Sequence, residues 1–161
     1  MIPVGTDYRM RIKPWVNYAL IAINVGLFLV GINGLNQHPQ ISQLLLDPDT
    51  PQLGQFLTSM FLHANLSHLI GNMIFLWVFG NVLNDRLGHL SYLFFYIAGG
   101  FIAGLGYLVL TPNAPVLGAS GAISAVAGAF LVLFPGVQVK LWFWFIEFEI
   151  TSLLFLGLQV A

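Results

Sequence analysis

Five long apolar runs, at residues 16–34, 66–83, 90–110, 119–134 and 141–161, fill more than half of the 161-residue chain, and the only charged side chains inside them are Glu147 and Glu149. Most have the roughly 17–25 residues that a helix needs to cross hydrocarbon. The fourth is short, which suits a helix that starts below the membrane surface. A barrel strand would alternate apolar and polar residues; the runs are read as lacking that period, so strands are not expected. With 58% hydrophobic and 7% charged residues, the chain is expected to be an all-α, integral multi-pass membrane protein. It has no internal repeat and no low-complexity linker, so residues 1–161 are read as one transmembrane domain.

The charges orient it. The five basic residues are Arg9, Arg11 and Lys13 before the first run, Arg86 between the second and third, and Lys140 between the fourth and fifth. Five spanning helices put those places on one side, and the positive-inside rule makes that side cytoplasmic, with the N-terminus. The opposite loops, at about 35–65 and 111–118, hold no Lys or Arg. The first of these outer loops is long enough to carry structure of its own, and the apolar stretch 56–62 within it is expected either to lie in the interface or to dip into the membrane beside the bundle. The absence of cysteine excludes disulfides and thiolate metal sites. A net charge of −1 offers no electrostatic grip on nucleic acid. The first run is too long for a cleavable signal and lacks a small-residue cleavage site.

Three polar side chains are expected to meet near one leaflet. His68 falls in the first turn of the second run, and Asn72 lies one turn deeper on the same face. Ser120 opens the fourth run within Gly118-Ala119-Ser120-Gly121. Polar groups at membrane depth are costly unless they face a partner or a water-filled cavity. The chemistry fits acyl transfer: a serine flanked by Gly118 and Gly121 lets a substrate backbone come close. The unpaired N–H groups of a helix start favour a developing oxyanion, and His68 and Asn72 add side-chain donors. Each residue also has a plainer use. A serine at a helix start is commonly an N-cap, His68 and Asn72 serve as helix–helix glue, and His63 sits in the loop before the second run. Gly100-x-x-x-Gly104 and Ser124-x-x-x-Gly128 have the spacing of close helix packing. Glu147 and Glu149 are read as structural hydrogen-bonding groups.

Together these residues resemble the rhomboid family of intramembrane serine proteases. The likeness rests on Thr58-Ser59-Met60-Phe61-Leu62-His63, His68-x-x-x-Asn72, Asp85-Arg86-Leu87-Gly88, Gly99-Gly100 and Gly118-Ala119-Ser120-Gly121-Ala122. It implies a bundle of about five transmembrane helices here, with a partly embedded first outer loop. It implies Ser120 as nucleophile, with His68, Asn72 and the Ser120 N–H as oxyanion hole and Gly118, Gly121 and His63 in support. The resemblance also implies transmembrane protein substrates within the lipid bilayer and no metal or organic cofactor, and the expected setting is a bacterial plasma membrane. The family's general base is a histidine on a sixth helix, and no histidine follows His89 in these residues. The 161 residues alone are therefore expected to be nearly silent as an enzyme. The alternative is a non-catalytic rhomboid-like protein that binds transmembrane clients. Gly54-Gln55 and Asn84 replace a tryptophan-led pair and a glutamate common in the family.

Overall fold

The apolar run that follows Pro14 folds as helix α1 (Trp15–Ile32), with the Pro14 carbonyl accepting the Tyr18 N–H at 3.0 Å. The computed structural model describes residues 2–32, 39–110, 113–143 and 146–152. The fold is mostly helical. After the outer loop come α2 (Leu53–Thr58), α3 (Leu66–Phe75), a π turn (Leu76–Gly80) and α4 (Asn81–Leu87), then α5 (His89–Leu110) and α6 (Ser120–Leu133). The continuous helix Leu66–Leu87 and α5 are long and apolar enough to cross a membrane, with mean hydropathies of 1.5 and 2.0. They differ in surroundings. More than half of the first is buried, whereas α5 exposes Phe94, Ile102 and Val109 along its length. At 14 residues α6 is short, rising about 21 Å.

A buried amide sets the π turn. Asn17 on α1 donates through Nδ2 to the Leu76 carbonyl at 2.8 Å and to Asn81 Oδ1 at 2.8 Å, and accepts the Tyr92 hydroxyl at 2.6 Å. A side chain inserted into the helix ladder diverts the Leu76 carbonyl and locally widens the turn. Gly80 makes room for it: a Cβ there would lie 2.5 Å from Asn17 Oδ1 and 2.6 Å from the Tyr92 hydroxyl. Asn17, Asn84 and Tyr92 are fully buried, and every hydrogen bond in this network joins different segments, so it clamps α1, α4 and α5 together. Phe79 and Phe130 fill the core beside it at 4.9 Å between ring centres.

Small residues bring α5 and α6 together, but not through the expected motifs. A Cβ on Gly99 would lie 2.6 Å from Ala125 Cβ, and one on Gly121 would lie 2.6 Å from Ala103 Cβ. The packing pairs are thus Gly99 with Ala125 and Gly121 with Ala103. Gly100 and Gly104 face Met60 and Phe56 instead, and Gly128 meets nothing within 4 Å. The space at Gly100 and Gly104 receives the outer loop. Phe56 stacks on Phe101 at 5.2 Å, Leu46 and Val116 form a two-way backbone bridge, and buried Gln55 ties the loop to itself through Gln52 and Gln43.

Where a helix was expected from residue 141 onward, residues 141–143 and 146–151 are strand. Strands β1 (Ile2–Thr6), β2 (Gln138–Phe143) and β3 (Ile146–Thr151) form an antiparallel sheet in that order, with Lys140 opposite Glu149 and Trp142 opposite Glu147. The sequence carries the reason. Val139 and Leu141 alternate with Gln138, Lys140 and Trp142, and Phe148 and Ile150 alternate with Glu147 and Glu149. Val139 and Leu141 are completely buried. A membrane helix here would carry two carboxylates into hydrocarbon at about 2.5–3.5 kcal/mol each at its centre; as strands the same residues place Glu149 3.6 Å from Lys140. Both groups are well exposed, so that pair is worth under about 1 kcal/mol. Open sheet edges carry backbone groups that hydrocarbon cannot satisfy, so water or further polypeptide has to cover them. Residues 153–161, and the end of the first expected helix at 33–34, lie outside the described residues.

Candidate active site

Two helix starts build the site. Asn65 caps α3, its side chain accepting the His68 N–H at 2.9 Å, which fixes the first turn and the point from which His68 projects. Asn72 follows one turn later on the same face. At the other helix, Ala119 is the N-cap and makes no side-chain capping bond, so Ser120 is the first helical residue. Its hydroxyl is exposed and has no hydrogen-bond partner among the described residues. The N-cap reading of Ser120 is therefore replaced by a free hydroxyl. The first intrahelical bond of α6 runs from the Ile123 N–H to the Ala119 carbonyl at 2.9 Å. The N–H groups of Ser120, Gly121 and Ala122 accordingly take no intrahelical acceptor.

His68, Asn72 and Ser120 line one open pocket of about 360 Å³, with Ser67, Gly71, Phe75, Ile123 and Ser124. Asn72 is buried, and its Nδ2 has no partner among the described residues. A buried amide donor left unpaired costs about 1–3 kcal/mol, so this N–H is held ready for an acceptor in the pocket. Gly118 fixes the approach of the histidine. Its φ is +121°, in the region that favours glycine, and a Cβ there would lie 2.6 Å from His68 Cε1 and 3.0 Å from Nε2. Its N–H donates to the Ser59 carbonyl at 2.9 Å. Gly118 is therefore pinned from the outer loop while the imidazole lies against it.

His63 stands behind this wall. It is 2% exposed, its ring meets that of His68 edge-on at 5.2 Å, and neither nitrogen has a hydrogen-bond partner. Burial, and then the neighbouring His68, push its pKa down to about 4, against a weak opposing pull from the Phe61 carbonyl. At neutral pH it is uncharged. Gly121 is not at the pocket wall but in the contact with Ala103, so the space it leaves serves helix packing. His89 accepts from or donates to Asn84 at 3.1 Å at the start of α5. That is about 21 Å along the helix from the Ala103 contact, too far to serve Ser120. Sequence reasoning passed over Asn65, whose signal is its place three residues before His68, and the Ser59 carbonyl, for which no side-chain signal exists. Gly118, Ser120 and Gly121 also line a smaller recess of about 210 Å³, shared with apolar residues such as Phe56, Met60 and Val116.

The rhomboid domain model matches residues 50–161. Rhomboid-like protein 11, chloroplastic, of Arabidopsis thaliana is 37% identical over 78% of the chain, which covers 42% of that relative. The Bacillus subtilis rhomboid protease GluP is 30% identical over 74% of the chain and 24% of its own length. Inactive rhomboid protein 1 of Drosophila melanogaster is 34% identical over 53% of the chain and 6% of its length. The chain thus spans less than half of each of these relatives. One is chloroplastic and another bacterial, so the relatives do not favour the bacterial plasma membrane expected above over an organelle. The domain match covers more than two thirds of the 161 residues, and it takes in His63, His68, Asn72 and Ser120. The chain belongs to the rhomboid family of membrane proteins.

Proposed function

We propose that this chain forms the nucleophile and oxyanion half of an intramembrane serine endopeptidase that cleaves transmembrane protein substrates. The single observation that carries this is one pocket walled by a free Ser120 hydroxyl, the His68 ring and the orphaned Asn72 amide. In this reading Ser120 Oγ attacks the scissile carbonyl carbon. The negative charge that develops on the carbonyl oxygen is met by the Ser120 N–H, Asn72 Nδ2 and a His68 N–H. Donors fixed in advance at such a position are each worth about 100–1000-fold in rate. A substrate helix has to unwind locally to offer an extended bond to the open pocket that Ser120 lines.

The Ser120 proton needs an acceptor. His68 serves as a donor, His63 is buried and reaches no partner, and His89 is remote. Among the described residues no imidazole stands as base beside Ser120, so this mechanism takes its base from outside them. In the same reading α1, Leu66–Leu87, α5 and α6 span the bilayer with the N-terminus cytoplasmic, and the outer loop lies partly embedded beside α5.

A fluorophosphonate probe tests the proposal in the full-length protein. Labelling of Ser120, absent from Ser120→Ala and reduced at least tenfold in Asn72→Ala, supports it. No labelling, with no cleavage of model transmembrane substrates, overturns it. That second result favours the other reading, a non-catalytic binder of transmembrane clients, for which the lack, among the described residues, of an imidazole placed as base beside Ser120 speaks.

A further inference from the structure

The segment that leads into α1 carries chemistry that the proteolytic site does not use. Arg9-Met10-Arg11-Ile12-Lys13 alternates basic and apolar residues, and all five side chains are exposed. The segment is strapped across the end of α4. Asp85 accepts the Arg11 N–H at 2.7 Å, the Ile12 N–H at 2.6 Å and the Tyr8 hydroxyl at 2.8 Å. Arg86, the next residue, is exposed at the same place, and both Arg11 and Arg86 act electrostatically on Tyr8. Trp15 follows at 60% exposure, with the Lys13 ammonium 5.6 Å from its ring centre.

The balance of partners is one-sided. Among the described residues the two carboxylates near this end take their hydrogen bonds from uncharged donors, Asp85 as above, with the Arg11 charge also acting on it through space, and Asp7 from the Gln138 N–H at 3.0 Å. Among the described residues no salt bridge engages Arg9, Arg11, Lys13 or Arg86; Lys140 is the basic residue that has one, with Glu149. Four cations therefore stand against two occupied carboxylates, next to exposed Met10, Ile12 and a tryptophan. Apolar side chains, an interfacial tryptophan and unpaired cations on one rigid strap match the boundary between acyl chains and anionic headgroups.

We propose that the strap of residues 9–13, with Trp15 and Arg86, is a binding surface for anionic phospholipid headgroups. Its backbone is fixed before lipid arrives, because Asp85 holds it through main-chain N–H groups that do not depend on the basic side chains.

The test is native mass spectrometry of the full-length protein released from nanodiscs of mixed phosphatidylglycerol and phosphatidylcholine. Retained phosphatidylglycerol is expected to exceed its share in the disc. Each of Arg9→Gln, Arg11→Gln, Lys13→Gln and Arg86→Gln should lower its relative affinity by about fivefold, and the quadruple variant should bring retention down to the bulk ratio. Lys140→Gln, which alters a cation already paired elsewhere, should change nothing. The single variants keep Asp85's contacts, so their readout does not depend on the quadruple variant folding. No preference in the wild type, an unchanged preference in the single variants, or an equal loss in Lys140→Gln would overturn the proposal. Stabilisation in pure phosphatidylcholine discs by a soluble polyglutamate peptide, lost in the same variants, would reassign the strap to an acidic protein partner.

Discussion

Replacing Gly118 by alanine separates the site from its scaffold. The residue sits at φ +121° with its N–H held by Ser59, so the backbone cannot swing away without breaking that bond and the adjoining Leu46–Val116 bridge. The new Cβ would lie 2.6 Å from His68 Cε1. Carbon atoms rest at about 3.5–4.0 Å, so the imidazole has to retreat by about 1 Å. Forcing an L side chain into this backbone region costs about 1–3 kcal/mol, and a 1 Å misplacement of a reacting group costs about 100-fold in rate. Gly118→Ala should therefore label with fluorophosphonate about 100-fold more slowly than wild type and unfold at a lower temperature in detergent. The double variant Gly118→Ala/His68→Ala removes the ring that is struck. Its loss of stability should be smaller than the sum of the two single losses, since only the backbone strain remains. Gly121→Ala, whose Cβ meets Ala103 at 2.6 Å, should destabilise the α5–α6 contact while labelling far faster than Gly118→Ala. Wild-type labelling by Gly118→Ala, or strictly additive losses in the double variant, would refute the reasoning that Gly118 sets the His68 position.

Other consequences are open to direct measurement. Ser120→Ala should abolish labelling yet change unfolding free energy by no more than about 0.5 kcal/mol, because the hydroxyl bonds to nothing in the described fold; a large stability loss would reveal a structural role. Asn17→Ala strips partners from the buried Leu76 carbonyl, Asn81 and the Tyr92 hydroxyl, and should cost about 2–4 kcal/mol in reversible unfolding in mixed micelles. His63 has a folded pKa of about 4 against an ordinary value of 6.5. The unfolded chain therefore takes up the proton first, and stability that is complete above pH 6.5 falls progressively as pH drops towards 4. A denaturant titration at several pH values should show that fall, and His63→Phe should flatten it; an identical slope in the variant would show that another group titrates.

Much of the helical framework was legible because it depends on long apolar runs, and α1, Leu66–Leu87, α5 and α6 begin within a residue or two of the expected places. That His68, Asn72 and Ser120 would line one pocket was legible for a related reason: His68 and Asn72 are one helical turn apart, and Ser120 opens a helix among glycines. What escaped was set by contacts between distant segments. The alternation in 138–151 is a local strand signal, but hydrophobicity averaged over the run hides it, and β1 as its partner lies more than a hundred residues away. The packing register of α5 on α6 depends on which glycine faces an alanine, and Gly99 and Gly100 are indistinguishable until the outer loop claims the second. The Asn17 network was invisible for the same reason, since Leu76, Asn81 and Tyr92 are polar or backbone partners scattered over three segments. Gly118 looked like room for a substrate; it is first of all room for His68.

The central claim is that Ser120, His68 and Asn72 act on one oxygen atom. Its most direct measurement is a structure of the full-length protein after reaction with a fluorophosphonate, in which the phosphonyl oxygen marks the oxyanion position. The account places that oxygen about 3 Å from Asn72 Nδ2 and from the Ser120 backbone N–H. An adduct whose oxygen turns away towards lipid, leaving the Asn72 amide still without an acceptor, would contradict it.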